Sequence, residues 1–153
     1  MPNHCRITIA GELPRKLRIA KAELKSAAEL FAAKSSSRIK VPFREVTIIL
    51  QDDEFSSKVH EAINGVKGPT DAITQRYDAM PGEPAGVYGE VYVNVDQAQR
   101  VVSLRKGWSV KKEILLYIAH GIDHLSGADD LSEKDYTRMR RRELSWLRLT
   151  FSR

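Results

Sequence analysis

The chain has 153 residues, 42% of them hydrophobic and 29% charged, with a formal net charge of +5. A chain of this length makes one domain that buries roughly two-thirds of its unfolded surface, so it needs no structural staple, and the lone Cys5 excludes an internal disulfide. No run approaches the roughly 20 apolar residues of a membrane span, and the first residues lack the apolar core of a signal peptide, so we expect a single cytoplasmic domain over residues 1–153 with no membrane partner.

Taken in order, His4–Ile9 alternates as a strand and Gly11 punctuates it. Apolar residues then recur every three to four positions from Pro14 to Lys34, which predicts a helix whose other face carries Arg15, Lys16, Arg18, Lys21 and Lys25, ended by the serines at 35–37. Val46–Leu50 is a β-branched run expected to form a buried strand. Asp52 and Asp53 precede a short helix to about Ala62, and Gly65, Gly68 and Pro69 mark a loop. Thr70–Arg76 reads as a weaker strand, Met80–Gly86 as a loop, and Val87–Val95 as a clear strand. Two helices close the chain, from about Ser109 to Ser126 and from about Ser132 to Leu149, the second opened by Ser132 with Asp135 in capping-box positions. The expectation is an α+β fold, a small mixed β-sheet of about four strands covered by about five helices.

Residues 118–130, IAHGIDHLSGADD, carry the chemistry. His120 and His124 are four apart on an apolar-periodic helix, so one turn brings both imidazoles to one face. Gly127 allows the chain to turn back, and Asp130 follows six residues after His124, far enough to return a carboxylate to the pair. Two imidazoles and one carboxylate make a usual catalytic zinc shell with a fourth position open. A bound ion acidifies water from a pKa of about 16 to near 7. The competing reading has Asp129 and Asp130 capping the last helix near Ser132. Asp123, between the histidines, is expected on another face as a salt-bridge or solvated carboxylate. Gly121 stands where metallopeptidases carry their general-base glutamate, which argues against peptide hydrolysis.

At these residues the sequence resembles the YbeY family of bacterial endoribonucleases, whose signature reads H-G-x-L-H-L-x-G-Y-D-H with three zinc-binding histidines. His120, Gly121, His124, Leu125, Gly127 and Asp129 match, and Asp130 takes the third ligand position. Pro69-Thr70-Asp71-Ala72-Ile73-Thr74 resembles the family's P-T-D-V-L-S segment, and Gly89-Glu90-Val91-Tyr92-Val93 resembles its G-D-I-x-I strand. Gln51-Asp52-Asp53-Glu54 falls where the family has a D-D turn, and the likeness spans roughly residues 44–148. The resemblance implies a metal-dependent endoribonuclease acting on single-stranded RNA in rRNA maturation and ribosome quality control. It implies one zinc ion per chain, held by His120, His124 and Asp130 as the catalytic centre, with small-subunit rRNA and the ribosome as partners. It also implies that Thr70 and Asp71 shape the metal pocket. The carboxylate at Asp130 makes the shell harder and moves its preference from zinc toward manganese or another oxygen-preferring ion.

Asn64 occupies the place of an arginine that the family carries upstream of its P-T-D segment, and no arginine lies between Arg44 and Arg76. Lys67, Arg76 or a partner's cation would then have to meet a phosphate there. Charge is unevenly spread: ten Lys/Arg against three Asp/Glu in residues 1–44, three against ten in 45–96, and twelve against seven in 97–153. Arg15, Arg18, Lys21 and Lys25 are therefore candidate RNA-backbone contacts, with an ordinary solvated face as the alternative. Arg138, Arg140, Arg141 and Arg142 are expected around the circumference of the last helix, mostly in solvent. Tyr77, Tyr88 and Tyr92 could stack on bases or pack at an edge. Trp108 and Trp146 are assigned to packing, and His4 and His60 have no ligand partner at metal spacing. The rival to an enzyme is a non-catalytic rRNA-binding assembly factor whose metal site is structural or decayed. Oligomeric state, natural RNA and cleavage position stay open.

Overall fold

The computed structural model describes residues 4–151; the expected domain limits at 1 and 153 lie outside them. Its elements are β1 (Arg6–Ala10), α1 (Lys21–Ile39), β2 (Phe43–Gln51), α2 (Asp53–Asn64), β3 (Ala72–Tyr77), β4 (Val87–Asn94), α3 (Val95–Ser103), α4 (Val110–Leu125) and α5 (Glu133–Phe151). One mixed sheet runs in the order β1-β2-β4-β3, with β1, β2 and β4 parallel and the edge strand β3 antiparallel to β4. This is the α+β architecture of four strands and five α-helices expected from the sequence. Among the described residues no helix is long and apolar enough to cross a membrane.

Two elements depart from the sequence reading. The basic amphipathic helix begins at Lys21, not at Pro14: Arg15–Leu17 is a single 3-10 turn, and Arg18 ends it in the left-handed region at φ 52°, which an α-helix cannot contain. The same helix runs through the serines to Ile39, because Ser35 is buried and the Ser36 hydroxyl accepts from the Phe43 amide at 2.8 Å. The strand expected to include Val95 stops at Asn94, whose side chain accepts from the Gln97 amide at 3.1 Å and so opens α3, a helix the strand pattern had hidden.

The core lies between the sheet and the helices α1, α4 and α5. Along β4, Val87, Gly89, Val91 and Val93 are buried, while Tyr88, Glu90 and Tyr92 occupy the other face. Phe31 of α1 stacks on Trp146 of α5 with ring centroids 6.0 Å apart, the packing role expected for that tryptophan. α4 crosses β4 at glycines. A Cβ on Gly121 would stand 2.3 Å from Val91 Cγ1, and one on Gly89 would stand 2.6 Å from Leu125 Cδ2. The helix that carries the histidines is thus seated against the strand by two absent side chains. Gly121→Ala is expected to lose about 1–3 kcal/mol of stability through overpacking, read as a lower midpoint in urea.

Candidate metal centre

α4 presents His120 and His124 on the flank that faces α5 and the end of the sheet bearing β3. The polypeptide leaves α4 at Ser126 and turns at Gly127, whose φ of 99° suits glycine, before returning Asp130 toward the two rings. The Nε2 atoms of His120 and His124 are 3.0 Å apart, and Asp130 Oδ2 lies 3.6 Å from the first and 3.7 Å from the second. A four-coordinate zinc ion with bonds of about 2.0–2.2 Å holds its ligand atoms roughly 3.3–3.6 Å apart, so this triangle is close to the dimensions of one tetrahedral face. Among the described residues these three form the group able to hold a metal ion. Side-chain exposures of 19%, 27% and 32% keep the centre recessed and reachable.

The far side of each ring decides which nitrogen faces the ion. His124 Nδ1 lies 2.9 Å from the Ala128 carbonyl and must donate to it, and His120 Nδ1 lies 2.8 Å from Glu143 Oε2. Both Nε2 lone pairs are therefore turned inward at close range, an arrangement that a shared cation stabilises. The donor set fits a divalent ion of zinc type, and the single carboxylate also admits a harder ion. Burial opposes charge on the His120 ring, but the hydrogen bond and charge of Glu143 outweigh it, and the ring's pKa is raised. The charge of Asp71 adds to this and that of Arg140 opposes it.

Glu143 is the functional residue that the sequence reading missed. It is fully buried on α5, Oε2 binds His120, and Oε1 has no hydrogen-bond partner. The available signal was its position: Met139, Glu143, Trp146 and Leu147 share the buried stripe, where a carboxylate is out of place unless something recruits it. Carboxylates that orient a ligating imidazole typically change metal affinity by 10–100-fold. Glu143→Gln is expected to weaken metal binding by a factor in that range, measured by competition with a chromophoric chelator.

Asp123 forms the salt bridge expected of it, in the interior and not at the surface. It is fully buried, and Arg142 forks it with Nε at 3.0 Å and NH2 at 2.9 Å. Arg38 of α1 approaches the same carboxylate at 3.5 Å and donates to Ser126 Oγ at 2.6 Å. Burial pushes the Asp123 pKa up against the pull of Arg142. Arg142 is thus an internal tie between α5 and α4 and not one of the solvent-facing arginines. α5 grips the metal-bearing helix twice in succession, through Arg142 and Glu143.

The other sequence candidates are scattered. Thr70 exchanges hydrogen bonds with Ser56, its amide donating at 3.1 Å and its carbonyl accepting at 3.1 Å. Asp71 accepts from the Ala72 amide at 2.6 Å, and its charge reaches His120 and Tyr117. Arg76, on β3, donates to the Leu125 carbonyl at 3.1 Å, one residue beyond His124. Lys67 is exposed in the loop before β3, and Asn64 is the exposed last residue of α2. Arg15, Arg18, Lys21 and Lys25 do not share one helix face. Lys21 and Lys25 sit where Lys111, at the start of α4, meets Glu23 at 2.5 Å, the opposite end of α4 from His124. Tyr77 and Tyr92 both donate to Glu90, and Tyr88 donates to the Pro84 carbonyl at 2.7 Å, all on the sheet face away from α4. His60 is taken up by the Gly68 carbonyl at 2.9 Å.

Comparison with known proteins agrees with the signature. The sequence model of the Endoribonuclease YbeY family matches residues 12–150. Proteins named endoribonuclease YbeY are similar: that of Elusimicrobium minutum is 31% identical over 126 residues, 82% of each chain. That of Chlamydia pneumoniae is 31% identical over 109 residues, 69% of this chain and 68% of its own. A Thermotoga maritima protein solved in solution shares the fold with a TM-score of 0.64 at 23% identity, covering 96% of this chain and 89% of that one. With the family match spanning almost the whole sequence, this chain belongs to the Endoribonuclease YbeY family.

Proposed function

We propose that the protein is a metal-dependent endoribonuclease that hydrolyses a phosphodiester of single-stranded RNA in the maturation and quality control of ribosomal RNA. The carrying observation is the triangle of His120 Nε2, His124 Nε2 and Asp130 Oδ2, with both Nδ1 atoms tied back. The family's printed activity supports the RNA substrate. When bound at this centre, a divalent ion supplies Lewis acidity toward a phosphate oxygen and acidifies water. The protein's own residues set the rest: Glu143 and the Ala128 carbonyl hold the two rings in register, and Asp130 contributes the negative charge. Asp71, with Thr70, is assigned to shaping the pocket, its charge adding to the field at the His120 ring.

Zinc is the resident ion in this reading, one per chain, and the cytoplasm with its small-subunit rRNA and ribosome is the setting. Lys67 and Arg76 lie on the segment that leads past the metal, while Arg15, Arg18, Lys21 and Lys25 supply longer-range attraction for the polyanion from the other end of α4. The specific observation favouring the rival, a non-catalytic rRNA-binding assembly factor, is Asn64, exposed on α2 where the family has arginine.

Chelation separates the two. Protein stripped of metal and reloaded with zinc or manganese is expected to lose and regain cleavage of a single-stranded RNA, read on a denaturing gel. RNA binding that persists with no cleavage under any loading would establish the assembly factor.

A further inference from the structure

The metal centre carries carboxylates, with Asp130 facing both rings, Glu143 behind His120 and the charge of Asp71 felt at the His120 ring, an environment that repels a polyanion. Two guanidinium groups approach it from different elements, one from β3 and one from α5. Arg76 belongs to the edge strand β3, paired in register with Gly89, the residue that Leu125 of α4 covers. Its side chain therefore lies on the α4 side of the sheet, and one NH group is fixed 3.1 Å from the Leu125 carbonyl next to His124. It is exposed and meets no carboxylate within ion-pair distance among the described residues. Arg140 belongs to α5. Its Nε stands 4.0 Å from Glu143 Oε1, its guanidinium lies 5.5 Å from the Tyr136 ring, and its charge is felt at the His120 ring. The charge of Glu143 is already committed to His120 at 2.8 Å.

We propose that Arg76 and Arg140 form a phosphate clamp, holding the backbone of the single-stranded RNA substrate across the metal centre. A guanidinium has five N–H donors in a planar fork, and each of these arginines spends one on a protein oxygen, so both keep a pair for phosphate. The contacts each does make are tethers: the Leu125 carbonyl and the Tyr136 hydroxyl hold the forks in place before substrate arrives. Arg76 marks the end of α4 beside His124, and Arg140 approaches from α5 behind His120, so the strand's phosphates are drawn between the two. This assignment rests on the endoribonuclease reading, and it gives Arg140 a task that its place on a crowded arginine helix does not suggest.

The test is equilibrium binding of a labelled single-stranded RNA to zinc-loaded protein, followed by anisotropy across a salt series. Variants are Arg76→Ala, Arg140→Ala, the double variant and Arg76→Lys, with zinc affinity and thermal midpoint measured on each. Each single alanine variant is expected to bind RNA about 10-fold more weakly and to flatten the slope of log affinity against log salt by about 0.7 per lost phosphate contact. Zinc affinity should stay within about twofold for Arg76→Ala, and Arg76→Lys should recover part of the affinity, because it keeps the charge and loses the fork. Unchanged RNA affinity and salt slope in the double variant, with only a lowered thermal midpoint, would reduce both arginines to helix and ring contacts and overturn the clamp alone. Loaded wild-type protein that binds no RNA would overturn the clamp together with the functional reading beneath it.

Discussion

His124→Ala is expected to abolish both metal retention and RNA cleavage while leaving the fold in place. In the proposed centre His124 supplies one of three ligand atoms; it is half-buried, and its ring meets the Ala128 carbonyl, the facing His120 and Asp130. Removing it leaves one imidazole and one carboxylate, a pair too sparse to hold zinc against solvent at micromolar concentration. The alanine suits the helix, and the neighbours that seat α4, Gly121 on Val91 and Leu125 on Gly89, are untouched. The measurements are metal content after gel filtration, cleavage of single-stranded RNA, and far-UV circular dichroism. A folded variant that keeps one equivalent of zinc would sink the proposed ligand set, and one that loses zinc but still cleaves would separate the chemistry from the metal.

Asp123→Leu is expected to cost about 3–5 kcal/mol, the range for breaking a buried ion pair from one side. The carboxylate is fully buried and satisfies the Arg142 fork and Arg38 together. Without it Arg142, with 18% of its side chain exposed, keeps a charge that solvent reaches poorly. For a chain of this size the loss should appear as a fall of roughly 10 °C or more in the thermal midpoint. Replacing both partners, Asp123→Leu with Arg142→Met, should restore much of that stability, because apolar side chains of similar volume substitute well for a buried pair. The family signature itself carries leucine at the position of Asp123. A single variant as stable as the wild type would mean that the three-residue cluster contributes nothing net to holding α5 on α4.

The grouping of His120, His124 and Asp130 was legible because its geometry is local. His120 and His124 sit one helical turn apart, and Gly127 and Asp130 follow within one short turn, so spacing alone brings the three donor atoms together. Most elements were readable for the same reason, since strand alternation in β4 and helical periodicity in α4 are properties of neighbouring residues. Errors arose where a single residue outweighs periodicity. Arg18 in the left-handed region breaks the expected first helix, and the Asn94 side chain ends β4 and opens α3.

Glu143, Arg142 and Arg140 were not readable in this way. They lie on α5 some twenty residues beyond the histidines, inside a run of charged side chains that looks like an ordinary wet helix face. Docking of α5 against α4 sorts that run by angle: Glu143 turns in to His120, Arg142 to Asp123, and Arg140 lies beside Glu143. Arg76 similarly acquires its place because β3 pairs at the sheet edge beside β4, beneath the end of α4. Short-range spacing was sufficient for the His120–His124–Asp130 cluster and for most of the elements, because both follow from contacts a few residues apart. The groups that orient the ligands and surround them with charge were assigned by packing between distant segments, which no periodicity along the chain encodes.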